Sequence, residues 1–423
     1  MYKTQKIAGE TVAAVLAGRN LTDTLNTVWR KEAGLEARHR GAIQDISYGT
    51  LRRYGEISFM LKQLIQRQDI EAPIHALLAI STYQLAWGRS APHAIVDYAV
   101  KVASHINGGR AKGLVNGVLR NFLRRKDELM QAAHANPHAH WNHPEWWIAA
   151  MQRAWPDHWE QVLTANNSRP PMTLRVNLRK NSREAYLDAL KAADIAAEGI
   201  GTQGIRLKQP VSVDQLPGFF EGLCSVQDAG AQWAAPLLNP APGSRVLDAC
   251  CAPGGKTGHL LEYADVAVTA LDVDVQRLNR VRENLDRLGV SAKVVQGDAA
   301  NPSQWWDGQP FDHILADVPC SATGVTRRHP DIKWLRRPDD FAQFATQQSS
   351  MLDALWGCLK PGGTLLYVTC SVFPEENAQQ IEAFLSRTRN ARQISLSTSL
   401  PNNGQLLPDL QQDGFYYALL AKD

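Results

Sequence analysis

Along the first third of the chain, apolar positions recur near the 3.6-residue period: Ile7, Val12, Val15 and Leu16, then Leu61, Leu64 and Ile65, then Leu77, Leu78, Ile80 and Leu85. The spacing predicts helices from residue 5 to about 126, with few strand signals, and hence an all-α bundle. Between residue 127 and about 170, HANPHAHWNHPEWW and NNSRPP bring in Pro, Asn and His, the composition of a linker and domain boundary. From Met172, MTLRVNLRKNSREAYLDALKAADI reads as strand, turn and helix, and GIRLKQPVSVDQLPGFFEG returns to strand and loop, giving a small α+β unit. CSVQDAGAQWAAPLLNPAPG then runs through a helix that Pro240, Pro242 and Gly243 end.

Beyond Gly243, SRVLDAC, VAVTALDVD, KVVQGD, FDHILADVP and GTLLYVTC are short apolar runs alternating with helical segments, the pattern of a parallel sheet covered on both faces. Leu278, Val281, Leu285 and Leu288 give one of those helices an apolar face and leave Arg277, Arg280, Arg282 and Arg287 for solvent. FYYALLA closes the chain as a strand. Three regions follow: 1–130, helical; 131–235, linker helices and a small α+β subdomain; 236–423, an α/β domain.

Composition narrows the class. A chain of 423 residues exceeds one ordinary core. With 44% hydrophobic and 21% charged residues, no apolar run near the ~18 residues of a membrane span and a polar, interrupted start, a soluble, untargeted, cytoplasmic protein is expected. Six cysteines without a CxxC pair argue against a disulfide framework and against a zinc site. His138, His140 and His143 lack the Cys or carboxylate partners that would complete a coordination set, so no metal is expected.

The formal charge of +3 is small, but its distribution is uneven. Lys101, Arg110, Lys112, Arg120, Arg124, Arg125 and Lys126 precede the next acid, Asp127, giving either a face for phosphates or a solvated helix. GVTRRHPDIKWLRR sets Arg327, Arg328, Lys333, Arg336 and Arg337 around Trp334, a combination suited to phosphate contacts and base stacking, the alternative being a solvated charge cluster with a Trp334 that only packs the loop down.

After the strand ending near Asp248, the loop CCAPGGK precedes a helix, and Gly254 and Gly255 let the backbone turn sharply and approach a ligand. The loop is neither a GxGxxG dinucleotide fingerprint nor a GxxxxGK[ST] phosphate loop. Asp272, Asp298 and Asp317 follow successive strands and form an acidic rim around one crevice; a strand-ending Asp that caps a turn accounts for one of them more easily than for three. Asp272 lies about 18 residues past Gly254, where a carboxylate accepts from ribose hydroxyls in doubly wound folds.

Two cysteine motifs, DVPCSATG around Cys320 and YVTCSVFPEEN around Cys370, set thiols beside that crevice. A thiol beside a nucleotide-type cofactor pocket suggests base methylation, and cytosine is a base whose carbon 5 is too weak a nucleophile to take a methyl group unaided. A thiolate must first add to carbon 6, and the carbon 5 proton must later leave, which calls for a nucleophile, a base and a group on the ring nitrogen. DVPC stands where an amino-group methyltransferase would carry Asn or Asp before Pro-Pro-aromatic, so exocyclic nitrogen chemistry is disfavoured.

The run VLDACCAPGGKT with Asp272, Asp298, DVPCSATG and VTCSVFPEEN resembles the RNA 5-methylcytosine methyltransferase family of the NOL/NOP/Sun type. The likeness covers the whole chain: the helical front resembles a NusB-like RNA-binding domain, and HPEWW, RPPMTLRVN, SVQDAGAQ and DGFYYALL resemble family signatures. It implies an all-α NusB-like N-terminal bundle, a small α+β RNA-recognition subdomain and a C-terminal α/β Rossmann-like class I methyltransferase domain with a mostly parallel seven-stranded sheet.

The same resemblance implies S-adenosyl-L-methionine as cofactor, with Cys250, Cys251, Ala252, Pro253, Gly254, Gly255 and Lys256 along its methionine and ribose side. Asp272 would hold the ribose, Asp298 would lie near the adenine, and Asp317 near the methyl donor and the target base. Cys370 would be the nucleophile, Cys320 would assist release of the product, Asp317 would hydrogen-bond the cytosine amine or ring nitrogen, and Pro319 would fix its loop. Sequence alone does not apportion the thiol roles, because DNA cytosine methyltransferases attack with the cysteine of their Pro-Cys motif. Cys251 departs from the family pattern, where Ala is expected, and reads as a small buried hydrophobe, as do Cys224 and Cys358. Lys256 supplies positive potential or is a surface lysine at a helix start.

The implied substrate is a cytosine in small-subunit (16S) ribosomal RNA before full assembly, in a loop or unfolded segment, since a duplex base must first be extruded. The alternatives are transfer RNA, a non-catalytic RNA-binding or antitermination-type module, and DNA. A monomer is expected, since no heptads or long apolar stripe demand a partner.

Overall fold

In the computed structural model, which describes residues 2–66, 69–396 and 400–423, the helix Ala72–Trp87 is buried from Ile74 through most of its length. A helix apolar all round belongs in a core. Tyr2–Leu16, Ala37–Arg52, Tyr54–Leu64, Pro92–Ala103 and Lys112–Arg124 pack onto it and share Val12, Ile43, Leu61, Ile95, Val115 and Leu119. Further helices continue to Trp159–Asn167. Local signals set their ends: the Asn20 side chain accepts from Asp23 N at 3.1 Å to start Leu21–Lys31, and Asn136 does the same for Pro137–Trp141.

The described residues form two compact units, one running to Ser168 and including Thr326–Pro338, the other comprising Arg169–Val325 and Asp339–Asp423. The stretch 131–235, expected as one middle region, is divided between them at Ser168.

The returning segment Thr326–Pro338 corrects an expectation. Its cations and Trp334 were expected to meet RNA, yet Arg327 and Lys333 are buried and Trp334 packs against the helical core. Lys333 Nζ donates to Arg52 O and Asn167 Oδ1, both at 2.9 Å, while Trp334 Nε1 donates to Leu51 O at 2.8 Å and its ring meets Tyr54 edge-on. Asp331 Oδ2 accepts from Leu21 N at 3.0 Å, at the start of Leu21–Lys31. The physical reason is that a lysine stem is apolar and its ammonium can be buried where oxygens receive its protons. Burial, and then Arg52 and Arg53, pull the Lys333 ammonium well below its ordinary value. Arg337 remains exposed. In the other basic stretch Arg110, Lys112, Arg120 and Arg124 are exposed.

The second unit carries two sheets. Strands β1 (Met172–Val176), β2 (Ala197–Ile200), β3 (Gly204–Leu207) and β4 (Cys224–Val226) form an antiparallel sheet in the order β2-β3-β1-β4, covered by Tyr186 and Leu190 of the helix Arg183–Ala192. The larger sheet contains β5 (Arg245–Ala249), β6 (Ala267–Asp272), β7 (Lys293–Gln296), β8 (Phe311–Asp317), β9 (Leu359–Thr369), β10 (Ala391–Ile394), β11 (Gln405–Leu406) and β12 (Phe415–Lys422). Its order is β10-β12-β9-β8-β5-β6-β7, with the two-residue β11 beside β12. The five strands β7, β6, β5, β8 and β9 are mutually parallel, so their carboxyl ends share one edge; β12 runs antiparallel to β9 and β10. Both faces are buried, with Val246, Ala270, Leu315 and Leu366 in one layer and Leu247, Leu271, Ile314 and Leu365 in the other, which is why these strands read as continuous apolar runs.

A buried ion pair ties the small sheet to the large one. Arg175 of β1 clasps Glu262 of the helix Gly255–Tyr263 at 3.0 and 2.9 Å and also donates to Gly255 O at 2.9 Å. Leu278, Val281, Leu285 and Leu288 of the helix Val275–Leu288 are buried as their spacing predicts. Arg287, expected in solvent, instead donates to Phe219 O and Cys224 O and lies over the Phe219 ring at 4.3 Å. Among the described residues no helix is long and apolar enough to cross a membrane, and no cluster of His, Cys, Asp or Glu is arranged to hold a metal ion.

Candidate active site

The loop after β5 begins with Cys250 at φ 61° and reaches Gly254 at φ 95°, a left-handed conformation that glycine adopts without strain. Space also demands glycine here, because a Cβ on Gly254 would lie 3.2 Å from Val281 Cα. The helix Gly255–Tyr263 starts directly after it, slightly earlier than the sequence suggested.

Asp272, the last residue of β6, reaches back to this loop: Ala252 N donates to its Oδ2 at 3.1 Å, and Asp274 N to its Oδ1 at 3.0 Å. Arg277 Nη2 donates to Ala252 O at 2.6 Å, closing the loop from the other side. Asp298, just past β7, accepts from Ala300 N and Asn301 Nδ2 at 2.9 and 2.6 Å, so it also caps its own turn. Asp317 ends β8 and receives Lys256 Nζ at 2.6 Å. Lys256 is therefore no surface lysine; burial opposes its charge, but Asp317 and then Cys370 outweigh that cost and its pKa is raised.

Asp248, within β5, was not singled out in the sequence. It is wholly buried, accepts from Thr257 Oγ1 at 2.6 Å through Oδ2, and its Oδ1 has no partner among the described residues. Burial pushes its carboxyl up to about 7, against the pull of Thr257. The signal that could have found it is the Asp-to-Thr spacing across a glycine loop, which places a hydroxyl over the strand end.

Beyond β8 and β9 lie the thiols. Cys320 Sγ and Cys370 Sγ are 3.4 Å apart and both are half-buried. Gly324 N donates to Cys370 O at 2.8 Å, fastening one cysteine loop to the other. The hydrogen bond to Cys370, then burial, then the charges of Cys370 and Glu376 push the Cys320 thiol well above its ordinary value. Cys250 and Cys251 are also pushed up, chiefly by burial, and Cys251 packs in the core as expected of a small hydrophobe. Cys224 and Cys358 are buried too, and burial raises Cys358 to about 11.

All of the expected residues thus gather on one edge of one sheet, in the spatial order Asp298, Asp272, glycine loop, Asp317 with Cys320, and Cys370. Sequence reasoning missed Glu376, Ser321 and Ser371, a buried group that joins the two cysteine loops. The arrangement sets two thiols beside the carboxylates of Asp272 and Asp317, groups that can pair with a cationic ligand bearing hydroxyls. The carboxylates of Asp272 and Asp317 fit such a group.

Three family profiles match the chain in order: the NusB family over residues 2–124, the RsmF/B-like ferredoxin-like domain over 143–214, and the 16S rRNA methyltransferase RsmB/F family over 235–421. Among curated proteins, the chain is 46% identical over 432 residues to ribosomal RNA small subunit methyltransferase B of Pseudomonas syringae pv. tomato, covering 98% of this chain and 96% of that protein. It is 44% identical to the protein of the same name from Klebsiella pneumoniae, covering 99% of this chain and 98% of the relative. Among solved structures, the crystal structure of PH0851 superposes with a TM-score of 0.83 at 24% identity, covering 100% of this chain and 99% of that one, a likeness of fold. Full-length similarity at this level places the chain in the ribosomal RNA small subunit methyltransferase B family.

Proposed function

We propose that this protein methylates carbon 5 of a cytosine in small-subunit (16S) ribosomal RNA, using S-adenosylmethionine, through a covalent bond between Cys370 and carbon 6. The observation that carries this reading is the pair of thiols 3.4 Å apart at the ends of adjacent parallel strands, beside the Lys256–Asp317 ion pair. The curated relatives' names supply the substrate class.

The residues of the chain divide the work. Cys370 Sγ adds to carbon 6, and the ring electrons displaced toward carbon 5 and the ring nitrogen make carbon 5 nucleophilic. Asp317 holds the exocyclic amine or ring nitrogen, and Lys256 fixes that carboxylate. S-adenosylmethionine, when bound, supplies the methyl group. After transfer a base, Cys320 as thiolate or a solvent molecule, takes the carbon 5 proton, the C–H electrons restore the ring double bond, and Cys370 is expelled as thiolate. Cys250 to Lys256 would line the methionine and ribose side, Asp272 would accept from the ribose hydroxyls, and Asp298 would lie toward the adenine.

The exposed cations Arg110, Lys112, Arg120 and Arg124 support RNA contact by the helical unit. The unpaired cysteines suit a reducing cytoplasm, and a single chain is the proposed working form.

Incubation of wild type, Cys370→Ala and Cys320→Ala with tritiated S-adenosylmethionine and protein-free 16S RNA tests the reading. Labelled 5-methylcytosine from wild type, none from Cys370→Ala, and an RNA-linked protein band on denaturing gels from Cys320→Ala are expected. In a parallel incubation with transfer RNA, label there and none in 16S RNA would move the substrate, and normal turnover by both variants would rule out covalent catalysis by these thiols.

A further inference from the structure

In both cysteine motifs a serine follows the thiol, Ser321 after Cys320 and Ser371 after Cys370, and both serines donate to one buried carboxylate. Glu376 Oε1 accepts from Ser321 Oγ at 2.5 Å and from Ser371 Oγ at 2.6 Å. Its Oε2 accepts from Ser321 N at 2.8 Å and from Gln348 Nε2 at 3.1 Å, and that same amide reaches Pro319 O at 3.0 Å. Burial raises the Glu376 carboxyl above its ordinary value, while the donors from Ser321, Ser371 and Gln348 favour its ionised form. Asn377 continues the seam, donating to Ser371 O at 3.0 Å and accepting from Thr369 Oγ1 at 2.6 Å. A carboxylate completely buried among seryl hydroxyls is expensive unless every contact is made, so its presence between the two loops calls for a purpose.

We propose that Glu376 is a positioning residue that locks the Cys320 and Cys370 loops onto each other and, through its negative charge on the Cys320 side, separates the roles of the two thiols, leaving Cys370 to attack. This rests on the covalent reading given above. The surroundings are unlike on the two sides. Cys320 has Glu376, Cys370 and the Tyr367 phenol, whose hydroxyl donates to Glu376 O at 2.8 Å. Cys370 has the Lys256 ammonium, held by Asp317. An anion beside one thiol and a cation beside the other break the symmetry of a pair that the sequence presents as near equivalents.

Two substitutions separate geometry from charge. In Glu376→Gln the amide oxygen can face the two N–H donors while its NH2 donates to serine hydroxyls that rotate to accept, so the seam persists without its charge. In Glu376→Asp the charge stays and the reach is shortened. Each full-length protein is treated with iodoacetamide between pH 6.5 and 9.5 with neither RNA nor cofactor present, and modification of Cys320 and Cys370 is followed separately by peptide mass spectrometry.

In wild type Cys370 should react at least about tenfold faster than Cys320 near neutral pH, and in Glu376→Gln the Cys320 rate should rise about tenfold, its pH midpoint moving down by about one unit. Glu376→Asp should keep the wild-type ratio within about twofold while its kcat on RNA falls and its KM for RNA stays. A folded Glu376→Gln protein with the wild-type ratio, or a Glu376→Asp protein whose ratio collapses to that of Glu376→Gln, would overturn the proposal. Because the alkylation needs no RNA, a wild type that shows the asymmetry but labels no RNA refutes the methylation reading instead.

Discussion

At one half of the sheet edge, past β5, β6 and β7, the partners of the acids are backbone N–H groups: Asp272 accepts from Ala252 N across the neighbouring strand and from Asp274 N, and Asp298 accepts from Ala300 N. At the other half, past β8 and β9, positioning comes from side chains far apart in sequence: Lys256 to Asp317, Ser321 Oγ to Glu376, and Gln348 to Glu376. The difference follows from the demands on each half. A ligand with many hydroxyls can be gripped by a loop whose backbone is fixed locally. Two thiols that must divide a reaction need distinct electrostatic surroundings, and only groups converging from several elements provide them.

The strongest way to sharpen this contrast is to remove a thiol. Cys370→Ala should lower methyl transfer by more than about a thousandfold, with cofactor affinity by calorimetry unchanged; a variant that lost cofactor binding as well would mean that the two halves are not separable.

Next comes the footing of the cofactor half. Arg175→Met leaves Glu262 buried without its cation, and urea unfolding should show a loss of about 3–5 kcal/mol. A loss under about 1 kcal/mol would show that the helix Gly255–Tyr263 does not depend on this pair.

A smaller effect is expected at Asp272→Asn, where the new amide confronts backbone N–H donors: cofactor affinity about ten- to a hundredfold weaker by calorimetry, and the alkylation ratio of the two thiols intact. A change in that ratio would contradict the separation of the two halves.

The subtlest signal is the pH dependence of Asp248, a slope rather than a loss. Its carboxyl is raised from 3.8 to about 7, so the folded protein holds a proton that the unfolded chain has released. Its stabilising contribution is complete below about pH 4 and is lost as pH rises through 7. The stability of Asp248→Asn relative to wild type should therefore grow between about pH 4 and 7 and then level off, in thermal melts at stepped pH. A flat difference would place Asp248 in a wetter setting than its burial implies.

Legibility of the sequence followed the range of the interactions. The glycine loop, the three acids and both cysteines were readable because a strand end, a turn and its ligand contacts occupy a few consecutive residues. Arg327, Lys333 and Trp334 misled because a basic run with an aromatic looks alike whether its stems face solvent or a core, and the acceptors that bury Lys333 lie on Arg52 and Asn167, far from it in sequence. Arg287 misled for the same reason, its acceptors being carbonyls of Phe219 and Cys224.

By itself, then, the sequence determined the helical front, the alternating strands and helices of the catalytic sheet, and the identity of the residues along its carboxyl edge, because period and local turn chemistry act between near neighbours. Only the tertiary structure decided which cations are exposed, that Asp248 sits buried with an oxygen unmet, and that Glu376 lies between the two cysteine loops. Those outcomes depend on which distant groups arrive to satisfy a buried charge or amide, and no local pattern encodes that arrival.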